Sequence, residues 1–350
     1  MDQEVKAVFA RVTGGGDLTR EQARRTFERI MTGEVSQPLM GALFGALLTK
    51  GESVEELVGA AEAMRARVTR IACPADAIDT CGTGGDGIST YNVSTTAAII
   101  AAAGGATVAK HGNRSTTRIC GSTEVLAELG IDVEAPRQAV ELSLATIGIG
   151  YLNARMLHPA MHYAAAVRQA IPSRTIFNLL GPLTNPAGVR RQIVGVPRPE
   201  LVPLMAGALS QLGAVHAWVV HGADGLCDLS VTSKTTVVEV LDGRLRTLAI
   251  EPEDVAIRRG TLSDLMIDSP QAGAKAVLQI LDGEQGPRRG HALLNAGAAL
   301  VVAGVAPDLR AGVDRASQAV DSGAAKAKLA QWREIAGLPA DGAKPGKAEP

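Results

Sequence analysis

The chain has 350 residues, of which 46% are hydrophobic, 20% charged and only 3% aromatic, and its formal net charge is -1. That length exceeds what one ordinary core supports, so a large domain with a smaller one is expected, and the composition excludes disorder over most of the chain. Near-neutral charge excludes a global field for nucleic acid or an anionic membrane, so an anionic ligand must be held by local groups.

The N-terminal stretch carries acidic residues and lacks the apolar core and cleavage site of a signal peptide. The first 70 residues read as helices only. Thr19 with Gln22, and Ser53 with Glu56, have the capping-box spacing in which a hydroxyl and a Glu or Gln satisfy each other's free amides. Between them, Pro38 to Lys50 is apolar on nearly every side and stops at Gly51, which predicts a buried helix ended by glycine. A small all-helical domain over 1–72 is expected, completed by a segment near 170–190.

From residue 77 the texture changes to short apolar runs, glycine-rich turns and alanine-rich helical patterns, the rhythm of an α/β fold around a mostly parallel central sheet. Ala77 to Cys81 reads as a strand before a glycine loop, with a helix from about Ser94. The most apolar run, Ala97 to Ala109, is too short for a bilayer, which needs about 20 residues. Thr107 to Ala109 reads as a second strand ending before Lys110, followed by a helix from Ser122 to Leu129; Val215 to Val220 and Thr235 to Leu241 read as further strands. The α/β domain is expected over 73–335, and 336–350, rich in Gly, Pro, Ala and Lys, as a disordered tail. Cys73, Cys81, Cys120 and Cys227 show no CxxC pairing and read as reduced buried thiols in a cytoplasmic protein.

Two segments carry chemistry. Asp79 to Gly87 places four glycines in six residues after a strand and before Asn92-Val93-Ser94-Thr95 at a helix start. Such a loop exposes amides at the positive end of a helix, where they cradle phosphate oxygens, and its spacing fits neither GxGxxG nor GxxxxGK[ST]. A glycine turn without a ligand is the competing reading. The second segment, Lys110 to Arg118, packs point-charge, forked and hydroxyl donors into nine residues, which suits a phosphorylated sugar, against the alternative of a solvated charged loop. His111 alone fits packing at least as well as proton transfer. No nucleophile, base and orienting group fall together, so no covalent catalytic residue is expected.

GTGGDGISTYNVST (82–95) and KHGNRSTTRICGSTEVLAELG (110–130) resemble the two signature segments of the anthranilate phosphoribosyltransferase family, in the same order and at similar spacing. His158-Pro159-Ala160-Met161 with Arg168, then Arg174 to Pro186, resembles the family's third segment, and His221 to Ser230 the fourth. The resemblance runs from about residue 5 to 335. It implies a small helical domain and a larger α/β domain, a homodimer formed through the small one, and transfer of the phosphoribosyl group of phosphoribosyl pyrophosphate to anthranilate, with release of pyrophosphate, in tryptophan biosynthesis. Carried over residue by residue, it places Gly82, Gly85, Asp86, Thr90, Asn92, Val93, Ser94 and Thr95 on the phosphoribosyl pyrophosphate. Lys110, His111, Gly112, Asn113, Arg114, Ser115, Thr116, Thr117, Arg118 and Ser122 complete that pocket. Gly82, Asn113 and Arg168 face anthranilate, and Ser94 with Asp228 touches Mg²⁺.

The sequence also departs from the family. Cys227-Asp228 stands where a metal-holding Asp-Glu pair is usual, and a thiol does not replace a hard carboxylate ligand for Mg²⁺. Asn153-Ala154-Arg155, Pro172-Ser173 and Thr116 to Ile119 depart as well, so the phosphoribosyl half matches better than the acceptor half. The rival readings are a transferase or pyrimidine nucleoside phosphorylase of the same fold with another acceptor, and a non-catalytic relative that binds nucleic acid. The lack of basic stretches counts against the last.

Overall fold

The computed structural model describes residues 3–115 and 118–337. Thr116, Thr117 and nearly all of the expected tail lie outside the described residues. Helices α1 (Gln3–Thr13), α2 (Arg20–Ile30), α3 (Gln37–Lys50) and α4 (Val54–Arg65) open the chain. Both capping boxes form: the Gln22 amide donates to Thr19 Oγ1 at 3.2 Å while the Thr19 amide donates to Gln22 Oε1 at 3.0 Å, and Ser53 with Glu56 repeats the exchange. Helix α3 stops at Gly51, whose φ of 86° only glycine adopts readily.

Among the described residues seven strands form one sheet in the order β3-β2-β1-β4-β5-β6-β7. In chain order, β1 (Ile78–Gly82) leads to α5 (Val93–Ala103), β2 (Val108–Gly112), α6 (Ser122–Glu128), α7 (Arg137–Ile147) and β3 (Ile149–Asn153). Helices α8 (Ala154–Leu157), α9 (His162–Ala170) and α10 (Ile176–Leu183) then cross back before β4 (Arg191–Gly195), α11 (Leu201–Gln211) and β5 (His216–Gly222). The hairpin β6 (Thr235–Leu241) and β7 (Arg244–Ile250) follows, then α12 (Leu262–Leu265), α13 (Pro270–Leu281), α14 (Pro287–Val302), α15 (Leu309–Asp321) and α16 (Ala324–Ala336). Strands β1 to β5 pair in parallel and the last two are added antiparallel. β1 lies centrally, with Ile78 in register with both Val108 and Arg191, so the chain leaves it in both directions and makes a switch point at its C-terminal end.

Alternation along the strands divides the core. Ile193, Trp218, Val220 and Val237 face a cluster built from α5, α6 and α13 to α16. Their neighbours Val194, Ala217, Val219 and Val238 face α10 and α11, and that cluster continues into α1 to α4 and α9. Phe177 of α10 joins the two parts, with ring centroids 5.7 Å from Phe27 and 5.2 Å from Phe44.

Candidate active site

The switch point opens into a cavity of about 200 Å³. One wall is the loop after β1, where Gly82, Gly84 and Gly85 line the space. Gly85 has φ +86°, and a Cβ there would overlap the Arg174 guanidinium. Arg174 explains the loop's shape: it donates to the carbonyls of Gly84 and Thr83. Helix α5 begins at the floor. Asn92 caps it by accepting from the Thr95 amide at 3.0 Å and from Ser94 Oγ at 3.2 Å, and Asn92 and Ser94 both line the cavity. The first amides of such a helix are its anion-facing donors.

Lys110, His111 and Gly112 correct the expectation of a loop, because they continue β2. Strand geometry carries the Lys110 side chain inward, where it is 1% exposed; its ammonium donates to the Thr80 carbonyl at 2.7 Å and to Ser94 Oγ at 3.2 Å. Burial lowers its pKa, with the neighbouring Asp79 carboxylate acting against that shift. Asn113, Arg114, Ser115, Arg118 and Ser122 line the opposite wall.

Asp86 does not line the main cavity. It is clasped by Arg118, whose Nε donates to Oδ1 at 2.6 Å while Nη2 pairs with Oδ2, and it also accepts the Cys227 amide at 3.3 Å. Burial opposes ionisation of Asp86, but the bonds and charge of Arg118 outweigh it and hold the carboxyl below its ordinary value. Thr90, Val93 and Thr95 are buried behind the lining. Arg168 also lies outside it, with its guanidinium 5.1 Å above the Phe177 ring.

The sequence reading missed Thr83, Gly84, Cys81, Cys120, Gly121, Asn178 and Cys227 as lining residues. Cys81, Thr83, Gly84 and Asn178 sit inside motifs already singled out, but nothing in the sequence shows that the Cys81 side chain faces the cavity. Burial pushes Cys120 up to about 11 and Cys81 and Cys227 well above their ordinary value, so all three are thiols, not nucleophilic thiolates. His111 is engaged on both nitrogens, with Nδ1 3.2 Å from the Gly181 carbonyl and Nε2 3.2 Å from His158 Nε2. Donation from Nδ1–H to the Gly181 carbonyl leaves the His111 Nε2 lone pair to accept a hydrogen bond from His158 Nε2–H. Burial, reinforced for His111 by His158, lowers the two to about 3 and about 4. Neither is a free base.

Ser94 and Asp228 share the cavity, and Asp228 Oδ2 is buried without a hydrogen-bond partner. Among the described residues no group of three or more His, Cys, Asp or Glu is placed to hold a metal. The residues therefore fit one hard cation whose remaining ligands come from water and substrate oxygens, as Mg²⁺ commonly takes them.

Family models match both parts of the chain: the helical bundle domain of a glycosyl transferase family over residues 6–68 and its a/b domain over residues 74–326. The chain is 47% identical to the anthranilate phosphoribosyltransferase of Anaeromyxobacter sp. (strain K) over 337 residues, covering 96% of this chain and 100% of that protein. It belongs to the anthranilate phosphoribosyltransferase family. The family member of Rhodospirillum rubrum is 46% identical over 96% of this chain and 97% of its own. The crystal structure of the anthranilate phosphoribosyltransferase of Thermus thermophilus superposes with a TM-score of 0.89 at 39% identity, covering 94% of this chain and 98% of that one. The Saccharomyces cerevisiae anthranilate phosphoribosyltransferase, solved in complex with PRPP and Mg, shares the fold with a TM-score of 0.87 at 23% identity, over 96% of this chain and 98% of that one.

Proposed function

We propose that the protein transfers the phosphoribosyl group of phosphoribosyl pyrophosphate to the amine of anthranilate, releasing pyrophosphate, as a step of tryptophan biosynthesis. The observation that carries this reading is the buried Lys110 ammonium set beside a glycine loop and the start of α5. The pyrophosphate lies against the amides of Gly82 and Gly85 and the Asn92 to Thr95 helix start, with Thr90 and Val93 supporting them from behind. Lys110, Arg114, Ser115, Arg118 and Ser122 complete the pocket with His111, Gly112 and Asn113, and Asp86 holds Arg118 in place. Mg²⁺, held by Asp228 and Ser94, neutralises charge on the leaving pyrophosphate.

The C1–O bond to pyrophosphate breaks as positive charge builds on the ribose ring, and the anthranilate nitrogen closes the new bond and loses a proton. The aromatic amine is neutral at pH 7, so positioning and charge stabilisation suffice without a strong base. Gly82, Asn113 and Arg168 receive anthranilate. For Arg168 to do so its guanidinium turns from Phe177 toward the substrate carboxylate.

We further propose a division into a helical part, 1–72 completed by the α9 and α10 segment, and an α/β part, 73–335, with homodimerisation through the helical part and a cytoplasmic location. No helix among the described residues is long and apolar enough to cross a membrane.

The test follows loss of anthranilate fluorescence with phosphoribosyl pyrophosphate and Mg²⁺, alongside pyrimidine nucleosides with phosphate. Turnover of anthranilate and inert nucleosides are expected; the reverse defeats the proposal. Arg168→Ala is expected to raise the KM for anthranilate by about tenfold to hundredfold, the loss of one charged hydrogen bond, and that for the donor far less. Equal changes would make Arg168 structural.

A further inference from the structure

Two acidic side chains from separate segments approach each other at the glycine-loop wall of the cavity, Asp228 in its lining and Asp86 behind it. Asp86 comes from the glycine loop and Asp228 from the turn after β5. Two converging buried carboxylates need a cation between them or must share a proton. Here the cation is part of the chain. Arg118 forks onto both oxygens of Asp86, and its Nη2 lies 3.9 Å from Asp228 Oδ2. The Asp86 carboxylate is 1% exposed and Arg118 14%, so this charge is fixed by the protein and is not a solvated surface pair. The Arg118 amide is itself anchored on Ser115 Oγ at 2.8 Å, and the Cys227 amide closes the same cluster by donating to Asp86. Cys227 contributes a thiol to the wall and no oxygen ligand. Lys110 is committed to Thr80 and Ser94. What remains for a metal is Asp228, whose Oδ2 faces Arg118 Nη2 at 3.9 Å but accepts no hydrogen bond.

We infer that Arg118, clasped between Asp86 and Asp228, is a built-in cation that takes the place of one divalent ion, so that binding the pyrophosphate end of the donor takes up a single Mg²⁺ per site. The inference rests on the phosphoribosyl pyrophosphate reading of the cavity. The guanidinium also offers the fork geometry that a phosphate accepts, which a hydrated ion supplies only through water.

The experiment is calorimetric titration of the full chain with inorganic pyrophosphate at a series of free Mg²⁺ concentrations, below those that saturate pyrophosphate alone. Uptake of one ion makes the affinity rise about tenfold for each tenfold increase in free Mg²⁺, and uptake of two makes it rise about a hundredfold. The wild type is expected to follow the first. Arg118→Ser, which leaves both carboxylates free, is expected to bind pyrophosphate more weakly at low Mg²⁺ and to move toward the second. A hundredfold dependence in the wild type overturns the inference, as does an Arg118→Ser protein with unchanged affinity and slope. The wild-type slope decides even if the variant does not fold. Failure of the wild type to bind pyrophosphate at any Mg²⁺ concentration would instead remove the phosphoribosyl pyrophosphate reading beneath it.

Discussion

Lys110 shows how far a single residue can depart from its usual behaviour, since lysine is almost never fully buried without a partner. The sequence reading placed it in a ligand-facing loop just after the second strand, with a solvated charged loop as the alternative. The fold instead buries it on the Thr80 carbonyl and Ser94 hydroxyl, both from segments remote in sequence. Lys110→Met is expected to weaken inorganic pyrophosphate binding by about tenfold to hundredfold in calorimetry, because a charged donor is lost while the core keeps its volume. Affinity equal to the wild type would take Lys110 out of the site. His291, stacked edge-on against Tyr91, illustrates the same cost of burial, which lowers its imidazole to about 4. The sign follows from the reference value near 6.5: as pH falls through it the unfolded chain takes up a proton that folded His291 refuses, so the stability contribution is full above pH 6.5 and declines toward about pH 4. Asp228, pushed up to about 7 by burial, protonates in the folded state across part of this window and works in the opposite sense, so the His291 effect must be read as a difference. Relative to His291→Leu, the wild type should lose about 2 kcal/mol between pH 7.5 and pH 5 in urea unfolding. Parallel pH curves for the two proteins would show that His291 titrates normally.

At the scale of elements, local chemistry was legible and pairing was not. Both capping boxes, the glycine stop of α3, β1 and the start of α5 follow from neighbours a few residues apart, and the structure places them within a residue or two of expectation. Strand β4, with only Arg191 to Gly195, carries no periodic signal, and β7 is largely exposed and exists through its ladder with β6. The site divides in the same way. Motif glycines and Ser94 could be read directly, whereas the Arg174 grip on the loop and the place of Cys81 depend on segments that meet only in three dimensions. Gly195, at the end of β4, makes such a meeting measurable. A Cβ there would stand 1.6 Å from the Cys227 carbonyl oxygen, and a backbone atom cannot swing aside as a side-chain tip can. Gly195→Ala is expected to cost about 3 kcal/mol or more in chemical denaturation, at the upper end of overpacking. Gly84→Ala, with nothing near its Cβ position but φ +60°, should cost less. Equal losses would mean that the turn at Cys227 yields freely.

For the whole molecule, the continuity of the second core matters most. Phe27 and Phe44 are covered by Phe177, which the chain supplies only after three strands of the sheet have passed. An isolated 1–72 fragment is therefore expected to lack a cooperative unfolding transition by far-ultraviolet circular dichroism; a sharp transition would show that the four helices close a core of their own. The position of β1 carries this dependence into the life of the chain on the ribosome. β1 is among the first strands to be made, yet one of its two edges stays open until Arg191 to Gly195 emerge. At about 5 to 20 residues per second, that edge waits on the order of ten seconds. Through that interval the strand that will carry the glycine loop offers one unpaired edge as a template, available to a chaperone or to a neighbouring nascent copy.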